Sequence, residues 1–162
     1  MKIQVTFYSK AVLTSNDGAD CEKFPWSLFE DLICYVNDTK IVVPAGFKTD
    51  IASIPQPVHW FCREYGRLNE AAVLHDMLYA AEIFPRGLND DIFRAGLIAR
   101  GIPEWRANVM WGSVRAFGGI TYPLEHTPPR IAEIRSSAGF VDKTTRPLFK
   151  NLLDFCQMPH AA

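Results

Sequence analysis

One apolar helical stretch, residues 71–79 with the sequence AAVLHDMLY, constrains the fold of this chain more than any other. It places an imidazole, a carboxylate and a phenol in an otherwise aliphatic run, at His75, Asp76 and Tyr79. Ionisable groups are expensive to bury unless they are hydrogen-bonded or paired. The helix must therefore either bury these side chains in a hydrogen-bonded network or turn them towards a cleft.

The spacing of the three polar residues separates them into two groups. His75 and Tyr79 are four residues apart, so they lie on the same stripe of a helix. Asp76 is displaced from that stripe by about 100° and joins it only at the edge. Because consecutive helical residues diverge, a carboxylate from elsewhere in the chain, Asp50 or Asp90, is the better candidate to orient the ring of His75.

The rest of the chain indicates an α+β protein. Residues 1–14 predict a first strand, and the β-rich runs 32–36 and 41–44 predict a hairpin across a short polar link. Three helices follow, with predicted bounds of 69–85, 89–101 and 103–119. We therefore expect a small N-terminal antiparallel sheet packed against a bundle of about three helices, in a single domain over residues 1–122. Residues 123–162 are expected to form an irregular C-terminal extension that docks on the domain or binds a partner.

Composition and charge argue against several classes of protein. The 162 residues carry a formal net charge of −1, which gives no overall attraction for nucleic acid. No apolar run is long enough for a membrane span. The first seven residues alternate in polarity and lack the apolar core of a signal peptide, so synthesis in the cytosol is the expectation. The four cysteines are widely separated, and we interpret them as reduced thiols that mostly serve packing.

The polar stripe suits general base catalysis. An imidazole whose first ring nitrogen is bonded to a carboxylate can take a proton from water with the second. Asp76, with Asp50 and backbone carbonyls of the 46–55 loop, would offer oxygen ligands to a hard cation, and calcium matches such a set better than zinc.

Two other interpretations stay open. Ser53 would be the nucleophile of a Ser-His-Asp hydrolase, although the Gly-x-Ser-x-Gly turn of such enzymes is missing around it. Alternatively, the cluster is a buried polar network in which His75 bonds Tyr79 or Asp90 across two helices. Asp90 and Asp91 also suit the first turn of a helix, where the backbone dipole favours negative charge.

Several ordered segments together resemble one protein family. They are residues 43–55 (VPAGFKTDIASIP), residues 71–79, Asp90 followed by Phe93, and residues 113–118 (SVRAFG). This combination resembles the DUF1353 family of bacteriophage and prophage proteins over roughly residues 40–118. The resemblance implies a phage-encoded protein, of a kind often found among tail or lysis genes.

A second resemblance is local and concerns only the His-Asp-x-x-Tyr pattern. It is similar to the helix signature of phospholipase A2, including the parvoviral form with a later Asp-x-x-Phe. This resemblance implies that His75 is the base that activates water, that Asp76 is a calcium ligand, and that Tyr79 and Asp90 support the histidine. The chain departs from the signature because no glycine-rich calcium loop precedes the helix and no cysteine flanks Asp76 and Tyr79.

The leading functional hypothesis is therefore a phage-encoded accessory protein with a hydrolase-like His-Asp site, which acts on cell-envelope material during entry or lysis. The alternative is a non-catalytic phage protein, either a virion or tail component or an inhibitor of a host protein, in which the same residues stabilise the fold. The expected partners are virion proteins, a cell-envelope component or a host protein. The expected location is the host cytoplasm on synthesis, with later incorporation into the virion.

Overall fold

The computed structural model describes residues 2–17, 24–51, 65–81 and 84–125. Within these ranges the chain forms six strands followed by three helices. The strands are β1 (Val5–Phe7), β2 (Leu13–Ser15), β3 (Trp26–Leu28), β4 (Leu32–Val36), β5 (Thr39–Val43) and β6 (Lys48–Thr49). The helices are α1 (Tyr65–Ala81), α2 (Arg86–Ala99) and α3 (Glu104–Glu125). The predicted α+β class is confirmed. Residues 126–162, which make up most of the predicted C-terminal extension, lie outside the described ranges.

The strands form two small antiparallel sheets rather than the one sheet that we expected. The first has the order β1-β4-β5 and the second has the order β2-β3-β6. The predicted hairpin is confirmed as β4 and β5, but its link is shorter than expected because Val36 pairs directly with Thr39. Asn37 makes this tight turn with a φ of 52°, a left-handed conformation that asparagine tolerates well.

The prediction of one strand over residues 1–14 is wrong, because the Ser9 side chain replaces a backbone carbonyl as the partner of the Ile33 N–H, although the N–H of Tyr8 still donates to the carbonyl of Ile33 at 2.9 Å. The hydroxyl of Ser9 donates to the carbonyl of Asp31 at 3.0 Å and accepts the N–H of Ile33 at 2.8 Å. Serine hydroxyls compete with strand ladders in this way. The chain then leaves the first sheet, and β2 pairs with β3 in the second.

The first two helices begin earlier than the sequence predicted. α1 begins at Tyr65 rather than Asn69, and α2 begins at Arg86 rather than Asn89. Pro85 occupies the N-cap position of α2, where its fixed φ and missing N–H fit a helix start. Asn89 is therefore inside the helix, where its side-chain amide donates to the carbonyl of Leu78 at 3.4 Å near the end of α1.

α2 ends at Ala99 and is terminated by a motif at Gly101, in agreement with the prediction, whereas the end of α3 does not agree. Gly101 has a φ of 82°, and its N–H donates to the carbonyl of Ile98 at 2.9 Å. The N–H of Ile102 donates to the carbonyl of Leu97 at 3.0 Å, which completes a Schellman motif. α3 continues past Gly118 to Glu125, since glycine weakens a helix without blocking its hydrogen bonds.

α1 is the most enclosed helix, because it packs against a sheet on one side and against α2 on the other. Its aliphatic residues share one core with the inner face of β4 and β5. A second apolar cluster joins α1, α2 and the first turns of α3. A helix that is apolar nearly all round is a buried helix. Any polar side chain on it, such as Glu70 or His75, must therefore find partners inside the protein.

Two further expectations concern the thiols and the membrane. Cys34 is a free, fully buried thiol on β4, and burial raises its pKa to about 12, as suits a packing residue. Among the described residues, no helix is both long and apolar enough to cross a bilayer.

Two helical glycines provide a matched test of this packing. A Cβ atom on Gly96 of α2 would lie 3.3 Å from the Cβ atom of Ala71 on α1, whereas one on Gly112 of α3 would meet no atom within 4 Å. We expect Gly112→Ala to raise the free energy of unfolding by up to about 1 kcal/mol through helix propensity. Gly96→Ala should instead lower it by about 1 kcal/mol or more through overpacking, as measured by urea denaturation. Equal gains from both substitutions would contradict the close α1–α2 contact.

Candidate functional site

The candidate site lies where α1 packs against α2, and it is built around one carboxylate. Nε2 of His75 lies 3.1 Å from Oδ1 of Asp90, and the hydroxyl of Tyr79 donates to the same oxygen. Asp90 is 0% exposed and His75 is 9% exposed. Helical spacing explains the arrangement, since His75 and Tyr79 present their side chains one turn apart to the same point on α2.

Aromatic contacts fix the plane of the imidazole. The ring centroid of His75 lies 4.1 Å from that of Tyr79 and 4.8 Å from that of Phe93 on α2. The separation from Phe93 falls in the range of favourable ring pairs, and Tyr79 lies closer still. Two aromatic contacts and one hydrogen bond therefore hold the imidazole ring and leave it little rotational freedom.

The second oxygen of Asp90 faces two arginines that the sequence analysis did not select. Oδ2 lies 3.5 Å from Nε of Arg115 on α3 and 3.9 Å from Nε of Arg86 on α2. Arg86 also donates through Nη2 to the backbone carbonyl of Val114 at 3.0 Å and to that of Arg115. A buried carboxylate needs this positive charge nearby, because an uncompensated charge in the interior is strongly unfavourable.

Burial and charge together keep the histidine neutral. Desolvation lowers the pKa of His75, the nearby Asp90 opposes that effect, and the positive charge of Arg86 reinforces it. Burial and the hydrogen bond to Asp90 raise the pKa of Tyr79, so its phenol stays protonated and donates. Asp90 faces two guanidinium groups and accepts the hydroxyl of Tyr79, so Nε2 of His75 is the donor in its contact with this carboxylate.

Nδ1 is then the basic nitrogen of the ring. Among the described residues it has no hydrogen-bond partner, and the His75 side chain keeps 11% of its surface exposed. A neutral imidazole with one nitrogen donating to a carboxylate and the other unprotonated has the form of a general base.

Asp76 belongs to a different contact from His75, as the helical geometry predicted. Its Oδ2 atom accepts the hydroxyl of Thr49, at the end of β6, and that hydroxyl oxygen accepts the N–H of Ile51 at 3.1 Å. Ile51 has a φ of 55°, which is rare for a β-branched residue. The loop after β6 is therefore attached to α1 through Thr49, next to the position of Asp50.

The predicted site residues have four different outcomes. The structure brings together His75, Tyr79 and Asp90, and it joins Asp76 to the β6 end of the loop. Among the described residues, the carboxylate that bonds His75 is Asp90 and not Asp50. Ser53 lies outside the described residues, so its role as a nucleophile stays a prediction.

The calcium hypothesis for Asp76 and Asp50 gains no support from the described part of the chain. There, no group of three or more histidine, cysteine, aspartate or glutamate side chains lies close enough to hold a metal ion. One oxygen of Asp76 is already used by the Thr49 hydroxyl. Calcium takes six or more oxygen ligands, so these residues alone do not fit that ion.

Two sequence signals could have revealed the missed arginines. Arg86 precedes Asp90 by four residues, which is ion-pair spacing on one helix, but we placed the start of α2 after Arg86. Arg115 lies in the 113–118 segment that carried the family resemblance. Asp91, interpreted as a helix-dipole partner, instead accepts a hydrogen bond from Nε1 of Trp111 at 2.8 Å and pairs with Arg115.

Comparison with known proteins gives one match. The model of a family described as "Protein of unknown function (DUF1353)" matches residues 26–114, which is more than half of the chain. The matched range includes His75, Tyr79, Arg86 and Asp90 but not Arg115. Neither a search of curated proteins nor a search of solved structures found a match.

Neighbouring aspartates on α2 test the importance of the buried carboxylate. Asp90→Asn should lower the free energy of unfolding by about 1–3 kcal/mol, because the buried amide no longer pairs with the guanidinium groups and can turn a donor towards His75 and Tyr79. Asp91→Asn, at a site with 42% side-chain exposure, should lower it by less than about 1 kcal/mol. Thermal and urea denaturation of both variants would measure the difference, and equal losses would contradict the central place of Asp90.

The lowered pKa of His75 gives a signed pH dependence. Between the ordinary pKa near 6.5 and the lower folded value, the unfolded chain binds more protons than the folded one, so stability falls as the pH falls. We expect the wild type to lose stability between about pH 7.5 and about pH 5.5, and His75→Gln to lose less. The difference between the two urea-denaturation series isolates His75, and identical slopes would show that its pKa is not lowered.

Proposed function

The chain belongs to the DUF1353 family of proteins of unknown function, and we propose that it carries a hydrolase-like site whose general base is His75. The observation that supports this most is the orientation of the imidazole, with Nε2 on Asp90 and Nδ1 without a partner among the described residues. Tyr79 bonds the same carboxylate oxygen and limits its movement.

The residues would act as follows on an ester or amide bond. A water molecule gives a proton to Nδ1 of His75 as its oxygen adds to the carbonyl carbon. Asp90 stabilises the imidazolium that forms, without taking the proton itself. The imidazolium then returns the proton to the leaving oxygen or nitrogen as that bond breaks, and the site is restored.

The proposed biological setting is a bacteriophage. We propose that the protein is a phage-encoded accessory protein that acts on cell-envelope material during entry or lysis. The support is the resemblance carried by residues 43–55, 71–79 and 113–118 together with the base-like geometry of His75. Synthesis in the host cytoplasm, followed by incorporation into the virion, is the accompanying hypothesis.

A second candidate function has its own supporting observation. Asp90 is fully buried and contacts side chains from all three helices, as a structural junction does. In this alternative the protein is a non-catalytic virion or tail component, or an inhibitor of a host protein, and the cluster only stabilises the fold.

Hydrolysis of isolated bacterial cell envelopes in water labelled with ¹⁸O separates the two functions. The wild type should release products that carry one ¹⁸O atom at the cleaved bond, as detected by mass spectrometry. His75→Gln should lower the rate by about 10²–10⁴-fold, the usual contribution of a general base. Tyr79→Phe keeps the ring against His75 and should lower the rate less.

The matched control is Glu104→Gln, since Glu104 is 71% exposed and pairs with Arg94 away from the site. It should retain the wild-type rate. A folded His75→Gln variant with the wild-type rate would contradict the proposed base. If the wild type releases no labelled product while His75→Gln is strongly destabilised, the non-catalytic alternative is favoured.

A further inference from the structure

Arg115 is the residue of α3 that reaches the candidate site. Its Nε atom lies 3.5 Å from Oδ2 of Asp90, although no hydrogen bond joins His75 to α3 among the described residues. We propose that Arg115 is a positioning residue for His75, which holds the Asp90 carboxylate in the orientation that keeps the Nε2–H···Oδ1 bond in place. The effect of Arg115 on catalysis rests on the proposed function, whereas its contact with Asp90 does not.

The two oxygens of Asp90 have different partners. Oδ1 accepts from Tyr79 and contacts His75, whereas Oδ2 faces Arg115 and Arg86. The terminal torsion of an aspartate is broad, so the side chain alone does not select one orientation of the carboxylate. The charges on the Oδ2 side supply the selection, because a partial rotation of the carboxylate would take Oδ2 away from the guanidinium groups and Oδ1 away from His75 and Tyr79.

Arg115 is better placed than Arg86 to control this rotation. Arg86 is already committed to backbone carbonyls of α3, and its Nε atom is the more distant from Oδ2, at 3.9 Å. Arg115 is itself fixed at its far end, where Nη2 lies 3.3 Å from Oδ1 of Asp91.

Trp111 completes the support of Arg115. Its indole N–H donates to the same oxygen of Asp91 at 2.8 Å, and the guanidinium carbon of Arg115 lies 5.2 Å from the Trp111 ring centroid. Such a cation above an aromatic face is favourable. The contacts thus run from Trp111 and Asp91 through Arg115 to Asp90 and then to His75.

Gly87 leaves the space that Arg115 occupies. A Cβ atom at position 87 would lie 2.9 Å from Nη1 of Arg115, closer than real contacts allow. The obstructing atom is the far end of a flexible side chain, so Arg115 would move and the helix would not. Gly87→Ala therefore displaces Arg115 without removing its charge, in a helix whose stability alanine otherwise favours.

The Nε2 proton of His75 reports on this role directly. In the wild type it should give a downfield proton resonance in the NMR spectrum that exchanges slowly with water. In Arg115→Gln we expect the resonance to move upfield and the exchange to become about tenfold faster or more, because the bond to the carboxylate is weakened. Arg115→Lys, which keeps the charge, should recover part of the wild-type exchange rate.

Arg94→Gln is the matched control, since Arg94 also joins α2 to α3 through Glu104 and Asn108 but does not contact Asp90. It should leave the resonance unchanged. Gly87→Ala, which keeps the guanidinium charge, should show the faster exchange with a smaller loss of melting temperature than Arg115→Gln.

Unchanged exchange in folded Arg115→Gln and Gly87→Ala would overturn the proposal. Equal acceleration in Arg94→Gln would also overturn it, because the effect would then reflect general loosening of the α2–α3 contact. This readout needs no substrate. A failure here therefore leaves the His75 hydrolysis test intact, and a failure of that test leaves the positioning role of Arg115 intact.

Discussion

The charge of one fully buried carboxylate organises the helical part of this protein. Asp90 is 0% exposed, and a charged group in that position requires partners that approach from several directions. α1 supplies His75 and Tyr79, α2 supplies Arg86, and α3 supplies Arg115. The three helices therefore meet at a polar point inside an apolar bundle, and their relative positions are constrained there more narrowly than apolar packing alone would constrain them.

A second buried carboxylate shows what such a group does when no histidine is present. Glu70 on α1 pairs with Arg100 at 3.1 Å and accepts the backbone N–H of Ala11 at 3.4 Å. That arrangement attaches the segment between the two sheets to the helices, and it contains no imidazole. The contrast shows why the candidate site is at Asp90. Of the two buried carboxylates, Asp90 contacts a neutral imidazole and Glu70 does not.

The helical periodicity of residues 71–79 predicts which side chains of α1 share a site, whereas contacts between distant segments are not visible in the sequence. The four-residue spacing predicts that His75 and Tyr79 share a site and that Asp76 joins it only at the edge. The divergence of consecutive helical residues leaves Asp50 or Asp90 as the carboxylate that orients His75. Partners that depend on tertiary contacts were not accessible in the same way. Thr49 reaches Asp76 from a strand 27 residues earlier, and Arg115 reaches Asp90 from a helix 25 residues later. The helix starts were misplaced because Asn69 and Asn89 are good cap residues in isolation, whereas Pro85 and the interior amide bonds of Asn89 decided the start of α2.

The protonation of the two ring nitrogens of His75 tests the link between this geometry and catalysis most directly. The ¹⁵N chemical shifts of the imidazole in the wild-type protein at about pH 7.5 distinguish the two neutral tautomers from each other and from the imidazolium. The buried ion cluster predicts a proton on Nε2, directed at Asp90, and an unprotonated Nδ1. A proton on Nδ1, or a fully protonated ring at that pH, would contradict the role of His75 as a base oriented by Asp90.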